Sequence, residues 1–136
     1  MADTLRLEIV TPQAVVFSEA VQMVTLPGIE GEMGVYPHHV RLITQLVPGE
    51  IIVNQNGEDR FLAVGEGLVD ITGDHVSIIT DMAIPAERID ERAIEEARAR
   101  AEARLREKIS DEEVASVNAS LVRSLAQLQV KRRRRG

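Results

Sequence analysis

Apolar and polar residues alternate at the start of the chain, where Leu5, Leu7 and Ile9 are interleaved with Arg6 and Glu8. A period of two puts each set on its own face of an extended backbone, so a half-buried strand is predicted, stopped by Thr11-Pro12. Ala14 to Phe17 and Val21 to Leu26 read as the next short strands, separated by the polar Ser18-Glu19. Arg41 to Leu46 is the next strand-like segment, and Pro48-Gly49 makes a turn. Two hairpins follow. Ile51 to Gln55 and Arg60 to Val64 flank Asn56-Gly57, a pair that tolerates the positive φ angles of tight antiparallel turns. Leu68 to Thr72 and His75 to Thr80 flank Gly73-Asp74 in the same way. Short strands at close spacing up to Met82 predict an antiparallel β-sandwich or barrel. Phe61-Leu62-Ala63-Val64 is apolar on both faces, so one face belongs to the core and the other to a second sheet or a partner.

After Pro85 the period changes. Ile94, Ala97, Ala101, Leu105 and Ile109 are spaced by three or four, predicting an amphipathic helix from Asp90 to Ile109, roughly 30 Å long at 1.5 Å per residue. Ser110 and Glu113 form an S-x-x-E capping box that restarts a helix, with Val114, Val117, Leu121, Leu125 and Leu128 as its facing stripe. The predicted class is therefore β followed by α: an antiparallel β-sandwich over residues 1–84, an antiparallel two-helix hairpin over residues 85–130, and a frayed basic tail over residues 131–136. The alanine-rich stripe staples the hairpin lightly, so that it can dock, undock or change partners.

Composition narrows the functional classes. The 136 residues contain no cysteine, which removes disulfides, thiolate nucleophiles and cysteine-based zinc sites. No apolar run reaches the roughly 18 residues of a spanning helix, and the N-terminus lacks a signal-peptide pattern, so a soluble chain, not inserted in a membrane, is expected. Net charge is −6 although Lys131 to Arg135 are all basic, so the body is strongly acidic. Four consecutive arginines suit phosphates, but with Tyr 1, Phe 2 and Trp 0 there is little to stack on bases or sugars. A solvated terminus is preferred over nucleic acid or anionic lipid.

No catalytic constellation emerges. His38 and His39 are neighbours in an extended segment and point to opposite faces, an arrangement unsuited to one metal ion. His75 sits at a strand end. Gly65-Glu66-Gly67 lacks the third glycine of a dinucleotide fingerprint and leads into a strand. A non-enzymatic protein without cofactor or metal is expected. Its most conspicuous stretch is Leu26 to Glu50, where Gly28, Gly31 and Gly34 recur between prolines and Glu30 and Glu32 mark an exposed, charged loop tip.

Within that stretch, Gly31-Glu32-Met33-Gly34-Val35-Tyr36-Pro37, followed by His39, Leu42, Thr44, Leu46, Pro48 and Gly49, closely resembles the signature of the ε subunit of bacterial F-type ATP synthases, the counterpart of the mitochondrial δ subunit. Leu125-Ala126-Gln127-Leu128 is similar to that family's second helix, so the resemblance spans the chain. His38 stands where the family usually has glycine, and Val40-Arg41 where it has Ala-Pro. The resemblance implies a rotor subunit of the central stalk that binds the γ subunit and the c-ring and couples proton translocation to ATP synthesis. It implies a peripheral position on the cytoplasmic face of the bacterial plasma membrane. It also implies that Glu30, Gly31 and Glu32, with His39 nearby, face the polar loops of the c-ring. The hairpin is then expected to reach the α/β catalytic subunits when it inhibits ATP hydrolysis. Some relatives bind ATP through Ile/Leu-Asp-x-x-Arg-Ala; here Ile89-Asp90-Glu91-Arg92-Ala93 is one residue short, which turns Arg92 by about 100° relative to Asp90. Weak or absent nucleotide binding at Asp90 and Arg92 is expected, with Asp90 acting as a helix cap. A free-standing β-sandwich binding module with a helical interaction hairpin is the alternative reading.

Overall fold

The N-terminal alternation becomes strand β1 (Leu5–Val10), with Leu5, Leu7 and Ile9 buried and Arg6 exposed. It is one of ten strands in the computed structural model, which describes residues 3–134. The others are β2 (Val15–Val21), β3 (Met23–Gly28), β4 (Gly31–Val35), β5 (His39–Leu46), β6 (Gly49–Gln55), β7 (Glu58–Val64), β8 (Gly67–Gly73), β9 (His75–Thr80) and β10 (Ala83–Pro85). They bond in the order β10-β7-β6-β3-β5-β8-β9-β1-β2, with β4 attached to β3. Every pairing is antiparallel except one: β1 runs parallel to β9, from Arg6 beside His75 to Val10 beside Ile79.

A twisted ribbon has two edges to protect, and this one curls until they approach each other. From β6, Gln55 Nε2 donates to Glu19 Oε1 (3.0 Å) and to the Ala20 carbonyl (3.1 Å) in β2. The Arg60 guanidinium of β7 lies 5.2 Å over the Phe17 ring of β2. The result is a barrel-like sandwich around one core in which Leu7, Ile9, Val24, Leu26, Leu46, Ile51, Val53, Ile71 and Ile78 are sealed from solvent. Each of these side chains contributes about 1.5–3 kcal/mol by leaving water. The core extends no further along the chain than Ala83.

The turns follow the residues predicted for them. Asn56 (φ 55°) and Gly57 (φ 83°) both adopt positive φ between β6 and β7, and Gly73 (φ 58°) does so between β8 and β9. Elsewhere the strands differ from expectation. β2 runs unbroken through Ser18-Glu19, because Ser18 lies opposite Glu8 and its hydroxyl accepts from Arg6 Nη2 (2.7 Å). A cross-strand partner makes a polar pair compatible with the ladder.

The helical hairpin consists of α1 (Glu91–Leu105) and α2 (Asp111–Arg134). Asp90 caps α1, accepting from the Ala93 N–H (3.2 Å). Ser110 accepts from the Glu113 N–H (3.2 Å), but the reciprocal half of the predicted box is absent: Glu113 accepts from Arg104 Nε (2.6 Å) on α1 and so joins the two helices. α1 ends four residues earlier than predicted, since Arg106 to Ser110 are used in the reversal. It buries no residue fully. In α2, Val114, Val117 and Leu121 are half-buried as the stripe requires, while Leu125 is 43% exposed and the buried set shifts to Ala126, Gln127, Leu128 and Val130. There α2 meets β6 and β7 as well as α1, which changes the covered face. Ala126 and Val130 join Ala63, Met82, Ala86 and Ile89 in a second, smaller core flanked by Phe61. The second apolar face of Phe61 to Val64 therefore meets the chain's own helix.

The expected frayed tail is overturned for Lys131 to Arg134, which complete the last turn of α2. Basic side chains suit a helix C-terminus, and three of the arginines find carboxylates on other elements: Arg132 pairs with Glu91 and Glu95, and Arg133 and Arg134 with Glu50. The remainder of the expected tail, residues 135–136, lies outside the described residues.

Candidate functional site

The glycine pattern of the organising stretch resolves into the β3–β4 hairpin. Gly28 pairs with Gly31, leaving Ile29-Glu30 as the tip, and Gly31 takes φ 121° with open space around it. Only glycine adopts that backbone without strain. Glu30 and Glu32 are exposed and neither pairs with another described residue. Beside the tip, β5 is held by Ile29 N–H to the Gln45 carbonyl (3.0 Å) and Val47 N–H to the Pro27 carbonyl (2.9 Å). Between them lies a groove of about 450 Å³ lined by Gly28 to Met33 and by Leu42, Ile43 and Thr44.

His39 lies away from the tip. Leu46 is the β5 residue beside Gly28, whereas His39 begins the same strand and pairs with Gly73. Seven residues of strand, about 23 Å at 3.3 Å each, separate the two ends. The His39 ring instead meets its neighbour's carbonyl, with Nδ1 2.7 Å from Val40 O.

His38 is the more structured histidine. Its φ of 67° is left-handed, the conformation for which glycine is favoured. The turn is held from both sides: the His38 N–H donates to Asp74 Oδ1 (2.8 Å), Nε2 lies 2.9 Å from Asp3 Oδ2, and Nδ1 lies 3.3 Å from Asp74 Oδ1. The hydrogen bond to Asp3, then the Asp74 charge, raise its pKa above the ordinary 6.5. The imidazolium ties are therefore complete below pH 6.5 and are lost as pH rises through the higher folded value. An NMR titration is expected to give His38 an apparent pKa above 6.5 that returns toward it in Asp3→Asn.

A larger surface was not anticipated from the residues. Ile43 (71% exposed), Leu68 (57%) and Ile79 (62%) face outward on β5, β8 and β9. Leu68 lies opposite Ile79, and Ile79 beside Val10 of β1, so the apolar strip crosses several strands. A groove of about 520 Å³ lined by Val10, Pro12, Leu68 and Ile79 continues it, and Ile43, diagonal to Leu68 on the same face of the sheet, lines the hairpin-tip groove. The signal was available: adjacent apolar residues in a strand, Leu68-Val69 and Ile78-Ile79, cannot both face the same core. Exposed contiguous apolar surface of this kind marks a contact site.

The two residues considered for nucleotide do not converge. Asp90 is engaged as the α1 cap, and Arg92 Nε lies 3.5 Å from Glu96 Oε1 one turn along. Among the described residues no group of histidine and carboxylate side chains is gathered for a metal ion. No described helix is long and apolar enough to cross a membrane.

A family model described as ATP synthase, Delta/Epsilon chain, beta-sandwich domain matches residues 4–86. The ATP synthase epsilon chain of Herpetosiphon aurantiacus is 40% identical over 131 residues, covering 96% of each chain. The chain belongs to the ATP synthase delta/epsilon family. The fold recurs in a chain of the Euglena gracilis mitochondrial ATP synthase, solved as OSCP/F1/c-ring, with TM-score 0.71 and 24% identity over 88% of this chain and 76% of that one. It recurs in the Tetrahymena thermophila mitochondrial ATP synthase, solved as central stalk/c-ring, with TM-score 0.60 and 10% identity over 95% of this chain and 97% of that one. At these identities the likeness is one of fold. Family membership agrees with the organising stretch: residues 31–49, which carry the resemblance, build the β4–β5 side of the tip groove.

Proposed function

We propose that this protein is a non-catalytic rotor subunit of an F-type ATP synthase, seated in the central stalk between a γ subunit and the membrane c-ring. The observation that carries this is the β3–β4 tip, whose exposed Glu30 and Glu32 are unpaired and next to apolar surface. Full-length kinship with epsilon chains supports it, as does the occurrence of the same fold in assemblies of stalk and ring. The acidic, glycine-built tip takes the polar loops of the c-ring, and the strip through Ile43, Leu68 and Ile79 takes the γ subunit. Coupling then needs no chemistry from this chain, only two faces on one stiff sheet that transmit torque between partners. The position is peripheral, on the cytoplasmic face of the bacterial plasma membrane.

The hairpin is the regulatory part of this reading. The main core includes none of its residues, so a chain ending near Ala86 retains the sandwich and its partners, while the hairpin reaches the α/β catalytic subunits and slows ATP hydrolysis when extended.

The test of the tip uses the absence of cysteine. In Glu32→Cys the single thiol is expected to cross-link to a cysteine placed in the polar loop of the c subunit in the assembled complex. An assembled complex in which no such cross-link forms at any loop position refutes the ring contact. Purification of the tagged protein without a γ-like coiled-coil subunit refutes the stalk assignment altogether.

A further inference from the structure

We propose that the last turn of α2 is an electrostatic latch: Arg134, forked onto Glu50 of β6 and laid over Phe61 of β7, holds the helical hairpin down on the sandwich, and its release frees the hairpin.

The site is built from three elements. The β6–β7 register puts Glu50 beside Ala63 and Ile52 beside Phe61, so all four side chains share the outer face that α2 covers. Arg134 Nε donates to Glu50 Oε2 (2.8 Å) and Nη2 to Oε1 (2.6 Å), a two-bond fork, and Arg133 Nη1 adds a third bond to Oε1 (3.3 Å). The Arg134 guanidinium carbon is 4.0 Å from the Phe61 ring centroid. The Glu50 side chain is only 7% exposed. A carboxylate so withdrawn from water needs charged partners, and its hydrogen-bonding partners come from the final residues of α2.

The same turn reaches the other helix. Arg132 Nε donates to Glu91 Oε1 (2.8 Å) and its Nη2 to Glu95, both on α1. One helical turn therefore fastens α2 to α1 and to the sandwich together. The apolar part of the docking interface is a single small cluster in which Ala126 and Val130 meet Ala63, Met82, Ala86 and Ile89, with Phe61 and Ile94 at its border. The charged contacts add to that burial and sit at its rim.

Release leaves neither ion stranded. When α2 lifts away, Glu50 and Arg134 both regain water, so the pair favours docking without making undocking prohibitive. The Arg133 and Arg134 side chains remain 59% and 28% exposed on the docked helix, so salt reaches the cationic side of the pair and screens both ions once they separate. A latch of this composition gives a hairpin that is closed at low ionic strength and opens more often as salt rises. The latch lies within one chain and operates whether or not the stalk assignment holds.

The test uses the isolated full-length protein. Ala126→Cys places its only thiol in the small core beneath α2, and the rate of labelling by a small maleimide reads hairpin opening. In that background Glu50→Gln and Arg134→Gln are each expected to speed labelling about tenfold or more at low salt. The double variant should be no faster than the faster single one, because both remove the same contact. Salt at 0.5 M, roughly three times physiological ionic strength, should accelerate the parent more than either variant, in which the Arg123–Asp81 and Arg132 pairs remain. Hydrogen exchange of the α2 backbone amides in the cysteine-free chain gives the same comparison should the new thiol disturb packing. Labelling and exchange that are unchanged in both single variants overturn the latch. So does a double variant accelerated by the product of the single effects.

Discussion

Gly67→Ala is expected to destabilise the sandwich by about 3 kcal/mol and to lower its urea midpoint accordingly. Gly67 opens β8 opposite Thr80. A Cβ at this position would lie 2.9 Å from both the Ile79 carbonyl carbon and Thr80 Cα, and main-chain atoms of a neighbouring strand cannot swing aside as a side-chain terminus can. Relief requires moving β9, which is also the parallel partner of β1. Gly34 is a useful contrast. The pattern of the organising stretch singles it out, yet a Cβ there would meet only the Met23 methyl at 2.8 Å. A flexible methionine yields at small cost, so Gly34→Ala is expected to change stability by less than about 1 kcal/mol. Equal urea midpoints for the two variants would refute this ordering.

The second large effect is on assembly. In Leu68→Lys with Ile79→Glu, two outward residues that face each other across β8 and β9 become an oppositely charged pair. The sheet tolerates this, because cross-strand ion pairs are acceptable and both positions are solvated; stability should change by less than about 1 kcal/mol. Binding should not tolerate it. If the strip is the γ-facing surface, each residue buried at its centre is worth about 2 kcal/mol or more on association, and the pair together should weaken affinity for the γ-like subunit at least 100-fold. The check is a titration of purified partner against both proteins, with thermal melts run alongside. Wild-type affinity in a folded double variant would remove the strip from the interface.

Much of this architecture is written in short-range chemistry. Asn56-Gly57, Gly73-Asp74, Asp90 and Ser110 each act within a few residues of themselves, and each stands where its turn or cap was predicted. What could not be read are the contacts whose partners are distant in the chain. The terminal arginines look solvated in sequence because Glu50, their partner, is more than eighty residues away. His39 looks adjacent to Glu32, but strand direction carries it to the far end of β5. His38 in place of a glycine looks like a local oddity until Asp3 and Asp74 are seen to hold its left-handed backbone.

The parallel pairing of β1 with β9 has a consequence for synthesis. Arg6 must wait for His75 before its strand acquires that neighbour, and at about 5–20 residues per second the ribosome needs roughly 3 to 14 s to deliver it. During that interval the first hairpin is a two-stranded fragment with an open ladder and with Leu5, Leu7 and Ile9 uncovered. Such fragments are only marginally stable in water, so the sheet closes late, after Thr80 emerges. The nascent chain is thus most vulnerable to aggregation and proteolysis until Thr80 has emerged, and a slow codon run placed before residue 80 prolongs that exposure.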